Sequence, residues 1–334
     1  KLIRSMVDTA KRQPKRVIFS EGNTDNMLRA AVDALQEGIC YPILLGNDEM
    51  IEKRAKRLGL ELDGITIINP RHDNEAERRE KFATRLATKH RRNGATLPEA
   101  LEKMFDRNYF GMMMVECGEA DAMIAGTYSA SPVAQEIAKE TIGIRPDYDH
   151  FIDMHIVTTK RGTYFLADTG VNRTTDEDTL FDVARLARYG AGYFAVDPVV
   201  AMISYSDFGS SPEPESRKVH NVVEKMHKLY PEVDIDGEMQ IDYALNTAHR
   251  DKMFPFSKIA GKDVNTLVFP NLSAASTAFK MMLEMGVGEA IGPIQVGLNK
   301  PIHFIKVDSP VRDIVNLATV CSIDAAVSQK VNTI

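Results

Sequence analysis

Short apolar runs alternate with segments of helical periodicity along the first half of the chain. The pattern predicts buried strands at residues 16–19, 41–47, 65–70 and 122–126. Residues 26–37 carry Leu28, Ala31, Val32 and Leu35 at helical spacing, which predicts a helix between the first two strands. Strands that alternate with helices are typical of an α/β protein with a parallel sheet.

The rhythm changes after residue 148. Two apolar stretches, 154–159 and 163–167, flank a short turn that contains Gly162, which predicts a β-hairpin. A hairpin pairs its strands antiparallel, so we expect a second α/β domain with a mixed sheet. Further strands are predicted at 199–204, 266–269 and 302–307, and further helices at 176–189, 213–230 and 311–329.

Composition excludes several classes of protein. The 334 residues suit two domains. Lysine and arginine number 41 against 47 acidic residues, and the net charge of −6 argues against a nucleic-acid partner. No apolar run approaches the ~18 residues of a membrane span. Cys40, Cys117 and Cys321 stand far apart, which predicts no disulfide framework and favours a cytoplasmic location.

A hydroxyl-rich loop follows the strand predicted at 199–204. Ser204, Ser206, Ser210 and Ser211 lie between that strand and the next helix, where ligands of open α/β sheets bind. Backbone N–H groups and the helix dipole would favour an anion there. Alternatively, Ser210-Ser211-Pro212 is only the cap and first residue of the helix, with acidic residues following in its first turn.

Acidic residues form two further candidate sites. Alternation along 234–238 would place Asp234, Asp236 and Glu238 on one side of a strand, where they would hold magnesium, act as a base or orient a ligand. The other interpretation is a polar strand end that bends at Gly237. Asp313 lies in the first turn of the last helix and would be a base toward a thiol or hydroxyl, or a surface acid that complements the helix dipole. The eight histidines show no ligand spacing, so no metal site is predicted.

Several stretches, taken in order, resemble the phosphate acetyl/butyryl transferase (phosphotransacetylase) family. The matching stretches are 17–22, 120–126, 204–211, 236–240, 268–272, 290–294 and 300–301. The resemblance implies two three-layer α/β domains of isocitrate-dehydrogenase type, with a cleft between them for acetyl-CoA or CoA. It further implies that residues 1–148 and 303–334 form the first domain, and that residues 149–302 form the second, which carries a dimer interface.

Residues 106–111, 206–211 and 309–316 are similar to a narrower group, the C-terminal domains of bacterial multidomain malic enzymes. In those proteins a preceding part decarboxylates malate. The chain starts at Lys1 inside a helical pattern, as an excised domain would. The resemblance therefore implies an N-terminal malic enzyme domain that holds NADP and a divalent metal, with no cofactor bound tightly by this chain and a homodimer or larger homo-oligomer.

The chain departs from the family at its catalytic positions. Active transferases carry Ser-Arg-Gly-Cys ahead of an aspartate that resembles Asp313, whereas residues 306–309 read Lys-Val-Asp-Ser. A second family arginine has no counterpart in 128–133, and a third falls near His90 and Arg91. Losing one oxyanion donor typically lowers the rate by about 10²–10³.

The resulting expectation is a regulatory domain that binds acetyl-CoA and has little transferase activity. The alternatives are an active phosphate acetyltransferase, with Asp313 as its base, and a module for oligomerisation only. Ligand contacts are expected from Tyr128, Ser204, Ser206, Phe208, Gly209, Ser210, Ser211, Asn271, Lys300, Lys306, Ser309 and Arg312, supported by Asp236, Glu238, Asp242, His90 and Arg91.

Overall fold

The computed structural model describes residues 2–128 and 132–331, so Ser129, Ala130 and Ser131 of the arginine-free stretch lie outside it. The chain divides into two compact units. The first contains Ile3–Gly143 and the chain from Leu298 onward, and the second contains Ile144–Gly297. The chain therefore passes from one unit to the other after Gly143 and again after Gly297. Both points lie a few residues before the boundaries at 148 and 302 that the resemblance implies.

The strands of the described residues are β1 (Lys15–Phe19), β2 (Cys40–Leu45), β3 (Thr66–Ile68), β4 (Ala122–Thr127), β5 (Ile152–Thr159), β6 (Gly162–Ala167), β7 (Val200–Ile203), β8 (Ile235–Met239), β9 (Thr266–Val268), β10 (Gly288–Val296) and β11 (Ile302–Lys306).

The helices are α1 (Leu2–Arg12), α2 (Asp25–Gln36), α3 (Asp48–Leu58), α4 (Ala76–His90), α5 (Leu97–Lys103), α6 (Arg107–Glu116), α7 (Pro132–Thr141), α8 (Glu177–Gly192), α9 (Pro214–Leu229), α10 (Ile241–Leu245), α11 (Thr247–Met253), α12 (Leu272–Glu284) and α13 (Val311–Val331), with short 3₁₀ turns at Asp73–Glu75 and Arg91–Asn93. None of these helices is both long and apolar enough to cross a membrane.

The first unit is built on a five-stranded parallel sheet in the order β11-β4-β1-β2-β3. Strand β4 is buried up to Gly126, and the neighbouring β1 is buried from Val17 to Phe19, which is why both stretches read as continuous apolar runs. The last strand pairs with β4 in the register Ile302↔Met123, so the C-terminal segment completes this sheet. Helix α13 is tied to that strand by the buried His303, whose Nε2 lies 2.9 Å from Asp324 Oδ2.

The second unit contains a six-stranded mixed sheet in the order β10-β5-β6-β9-β7-β8. The predicted hairpin is present, with β5 and β6 antiparallel in the register Met154↔Ala167, and β6, β9, β7 and β8 run parallel. The α/β fold class and the mixed sheet are confirmed. The edge strand β10 was not predicted, because the glycines at 286, 288 and 292 weaken its alternation.

A buried pair of carboxylates joins the strands of this mixed sheet. Asp168 accepts hydrogen bonds from the backbone N–H of Asp153 at 3.0 Å and from three successive N–H groups beyond β6. Asp153 accepts from Gln295 Nε2 at 2.6 Å. Burial and the neighbouring Asp168 carboxylate together raise the pKa of Asp153 to about 7.

This raised pKa predicts that the contribution of Asp153 to stability falls as the pH rises from about 4 to about 7. In that window the folded protein keeps a proton on Asp153 that the unfolded chain has already lost. Asp153→Asn should therefore become more stable relative to the wild type as the pH rises. Urea unfolding across this range, followed by circular dichroism, measures the difference. The exposed Asp63→Asn is the control, and parallel pH profiles for Asp153→Asn and the wild type would contradict the prediction.

Candidate ligand-binding site

The predicted ligand residues of the second unit collect at one edge of its sheet. Strands β9, β7 and β8 run parallel and adjacent, so the segments after their carboxyl ends meet. These segments are Asn271 after β9, residues 204–211 after β7, and Asp242 after β8. We call residues 204–211 the serine loop.

The hydroxyls of the serine loop hold the loop itself together. Ser206 Oγ donates to Glu238 Oε2 at 2.9 Å and accepts from the backbone N–H of Ser211 at 3.0 Å. Ser210 Oγ lies 3.1 Å from Ser206 Oγ and accepts from the N–H of Asp207 at 3.0 Å. Ser204 and Ser206 are buried, whereas Ser210 is exposed and Ser211 half-buried. Ser210 and, in part, Ser211 are therefore the serines of the loop that a ligand can reach.

Glu238 anchors the serine loop from beneath. Its side chain is fully buried, and Oε2 accepts from Ser206 Oγ and from the N–H of Gly209 at 3.1 Å. Oε1 lies 3.0 Å from His220 Nδ1 on helix α9. Phe208 and Gly209 both adopt left-handed conformations, with φ of 46° and 87°, which lets the loop turn back toward the carboxylate. The carboxylate is thus committed to shaping the loop.

The predicted convergence of three carboxylates is wrong. Asp236 accepts from Ser257 Oγ at 2.8 Å, and Asp234 pairs with Lys262 Nζ at 2.6 Å, while Glu238 faces the serine loop. The register between β7 and β8 shifts just before Met239, and this bulge breaks the simple alternation on which the prediction relied. No cluster of three or more histidine, cysteine or acidic side chains suited to a metal ion occurs in the described parts of the chain.

The helix after the serine loop begins later than expected. Helix α9 starts at Pro214 with Glu213 at its N-cap position, so Ser210-Ser211-Pro212 does not cap it. Ser216 Oγ instead donates to the backbone oxygens of Ser211 and Glu213, both at 2.9 Å. Asn271 Nδ2 donates to Glu215 Oε1 at 3.1 Å and so ties the start of α12 to the start of α9.

An aromatic cluster that the sequence analysis did not find lies beside the serine loop. The ring of Phe208 packs against Phe254 and Phe256 at centroid distances of 4.8 and 5.1 Å. Phe256 is 69% exposed and Tyr205 is 56% exposed, so this part of the loop presents apolar surface. Phe254 and Phe256 lie two residues apart after α11, whereas Phe208 lies in the serine loop, so no local pattern links the two segments. The loop therefore combines hydroxyl and apolar surface, as a ligand with both polar and apolar parts requires.

In the first unit, Tyr128 and Lys306 follow or end the adjacent parallel strands β4 and β11 and so lie at the carboxyl edge. Tyr128 Oη donates to Glu21 Oε2 at 3.0 Å, and Arg107 Nη2 lies 3.2 Å from the same oxygen. Burial raises the pKa of Glu21, and Arg107 and Tyr128 partly offset that rise. Sequence reasoning noted Glu21 and Arg107 only inside matching stretches and assigned neither a role.

Asp313, the candidate base, lies at the start of α13. Ser309 is held nearby through its backbone oxygen, which accepts from Asn26 Nδ2 at 2.9 Å. Arg312, the adjacent cation, is exposed, and its Nη1 lies 3.0 Å from Glu37 Oε1. Partial burial raises the pKa of Asp313.

The other predicted residues lie elsewhere in the first unit. His90 ends α4, and its Nε2 lies 2.6 Å from the backbone oxygen of Glu140. Arg91 follows it on the exposed surface. Lys300 precedes β11 and Lys306 ends it, so the structure places these two lysines at opposite ends of the strand.

The family model of phosphate acetyl/butaryl transferases matches residues 1–322. The chain belongs to this family. A phosphotransacetylase from Streptococcus pyogenes superposes with a TM-score of 0.88 at 30% identity, covering 98% of this chain and 99% of that one. The α/β fold implied by the resemblance is therefore that of known phosphotransacetylases.

Two kinds of relative share this phosphotransacetylase-family sequence. The NADP-dependent malic enzyme of Escherichia coli K12 is 33% identical over 95% of this chain, and the match covers 42% of that enzyme. The phosphate acetyltransferase of Corynebacterium glutamicum is 30% identical over 96% of this chain and 96% of its own length. The chain thus spans less than half of the malic enzyme and nearly all of the transferase.

The contacts of Glu238 predict that the stability of this phosphotransacetylase-family chain depends on the Glu238 carboxylate. Glu238→Ala should lower the free energy of unfolding by about 3 kcal/mol, because buried donors lose a charged acceptor. Urea unfolding measures the loss, and amide hydrogen exchange should become faster at Gly209. Glu238→Gln should recover part of the stability. The exposed Glu232→Ala is the control, and an equally small effect for both alanine variants would contradict the role assigned to Glu238.

Proposed function

We propose that this chain is an acetyl-CoA-binding regulatory domain with little transferase activity of its own. In this proposal it forms the C-terminal part of a malic enzyme and supports a homodimer or larger homo-oligomer in the cytoplasm. The divalent metal and NADP would then belong to the N-terminal malic enzyme part. The match to 42% of a malic enzyme's length supports this arrangement.

The chemistry around Asp313 carries the proposal. Transfer of an acetyl group to phosphate develops negative charge, which cations must stabilise. Val307 replaces the arginine that the family resemblance leads us to expect, and Arg312 is engaged with Glu37. Lys306 would supply charge without the bidentate geometry of a guanidinium. The base is therefore retained without the cations that would make it useful.

Binding of acetyl-CoA makes weaker demands than transfer. Ser210, which is exposed, Ser211, which is half-buried, and the nearby ring of Phe256 would offer polar and apolar contacts to the nucleotide and pantetheine parts of the ligand. A regulatory effect further requires that acetyl-CoA bind more tightly to one state of the whole enzyme than to another. A domain that binds without turnover meets this requirement, because the ligand persists as a signal.

The second candidate is an active phosphate acetyltransferase, which the 30% identity over almost all of a transferase's length favours. Phosphate would attack the thioester carbonyl of acetyl-CoA, the C–S bond would break, and acetyl phosphate and CoA would leave. Asp313 would act as the base, with its raised pKa suited to proton transfer. Lys306 or Arg91 would have to replace the missing arginines.

An assay of thiol release from acetyl-CoA and phosphate, run beside calorimetric titration with acetyl-CoA, separates the candidates. We expect binding, with release at least ~10²-fold below ordinary enzyme rates. The double variant Lys306→Ser, Val307→Arg restores the family's serine and arginine and should raise release by about 10²-fold. The pair Lys306→Arg, Val307→Ser is the control, because it places the same side chains in the reverse order.

Two outcomes would contradict the proposal. Phosphate-dependent release of CoA by the wild type at ordinary enzyme rates would establish the transferase. Failure to bind acetyl-CoA at millimolar concentration would remove the regulatory role.

A further inference from the structure

A polar pocket of about 430 Å³ lies in the first unit, where the chain leaves strands β1, β2 and β3. Its polar lining comes from Asn23, Asn47, Asn69, Arg71 and Arg107, with an apolar wall that includes the ring of Phe105. Its volume falls within the roughly 300–1,000 Å³ of small-molecule sites. The sequence analysis assigned none of these residues to a site.

The three asparagines offer amide donors to the pocket. Asn23 Oδ1 accepts from Arg107 Nη1 at 3.0 Å, Asn47 Oδ1 accepts from a backbone N–H of α3 at 3.0 Å, and Asn69 Oδ1 accepts from a backbone N–H at 3.1 Å. Each of these oxygens therefore already accepts one hydrogen bond from the protein. Among the described residues, no protein acceptor takes a hydrogen bond from the three Nδ2 atoms, so these remain for a ligand.

The two guanidinium groups add positive charge to these donors. Arg71 is exposed and makes one long hydrogen bond, from Nε to the backbone oxygen of Phe105 at 3.4 Å, which leaves its Nη groups for a ligand. Arg107 is held by Glu21 and Asn23. The acidic side chain in the lining, Asp106, accepts from two N–H groups as the N-cap of α6, at 2.8 and 3.2 Å. Donors therefore outnumber free acceptors in the pocket.

We propose that this pocket binds the phosphate or diphosphate group of a small phosphorylated ligand. Several oxygens on one charged group match two guanidiniums and three amide donors better than a single carboxylate does. The pocket lies in the first unit, whereas the serine loop lies in the second, so the inference goes beyond the proposed function. The phosphates of acetyl-CoA and those of a separate metabolite offer the same chemistry.

Titration of the full chain with inorganic pyrophosphate at constant ionic strength tests the site. We expect saturable binding that Arg71→Gln weakens at least about tenfold, since charge-assisted hydrogen bonds are lost. The exposed Arg12→Gln on α1 makes the same change of charge away from the pocket and should bind like the wild type. Arg107→Gln should also weaken binding, but it leaves the buried Glu21 without its cation, so Arg71→Gln is the deciding variant.

Acetyl-CoA, titrated against the same proteins, identifies the source of the phosphate. If acetyl-CoA competes with pyrophosphate and weakens in Arg71→Gln, the pocket holds a phosphate of CoA. If pyrophosphate alone weakens, the pocket serves a separate phosphorylated ligand. The site is refuted if wild-type protein does not bind millimolar pyrophosphate, or if Arg71→Gln and Arg12→Gln bind it equally well. Binding of acetyl-CoA by the wild type reports separately on the proposed function.

Discussion

The first unit depends on the pairing of β4 with strands on both of its sides. Its side chains are almost all buried, so its backbone N–H and C=O groups need protein partners on each edge. Strand β1 supplies one edge, and β11, from the far end of the chain, supplies the other. The chain must therefore return to the first unit after building the second. This return is what pairs Lys306 with Thr127 at the end of β4.

In the second unit, the side chain of Glu238 supplies hydrogen-bond acceptors to the serine loop. A loop that leaves a buried strand and turns back needs acceptors for its inner N–H groups. Glu238 Oε2 accepts a hydrogen bond from the N–H of Gly209 and another from Ser206 Oγ. The register shift in β8 lies at Glu238, whose carboxylate contacts the serine loop and not Asp236. An acidic stretch that resembles a metal site therefore stabilises the loop. The resulting loop leaves Ser210 and Ser211 at the surface.

In the function proposed above, the chain would hold a ligand while lacking the serine and arginine that the family resemblance leads us to expect at residues 306 and 307. Asp313 is present without an adjacent free guanidinium, and the arginines of the first unit, Arg71 and Arg107, gather instead at the carboxyl ends of β1, β2 and β3. Arg71 and Arg107 thus place positive charge at this pocket. Under the two proposals made above, this distribution would serve recognition of a phosphorylated ligand.

The sequence by itself determined the α/β class, most strands, the helices α2, α8, α9 and α13, the hairpin of β5 and β6, and the family, because apolar periodicity and ordered stretches are local properties of the chain. Only the tertiary structure decided how side chains from distant segments combine. The register shift at Met239 separated Asp236 from Glu238, and the salt bridge to Glu37 engaged Arg312. The polar pocket of the first unit is lined by residues that follow three strands and by the start of α6. These residues lie close together because β1, β2 and β3 pair in parallel, and their spacing along the chain does not predict it.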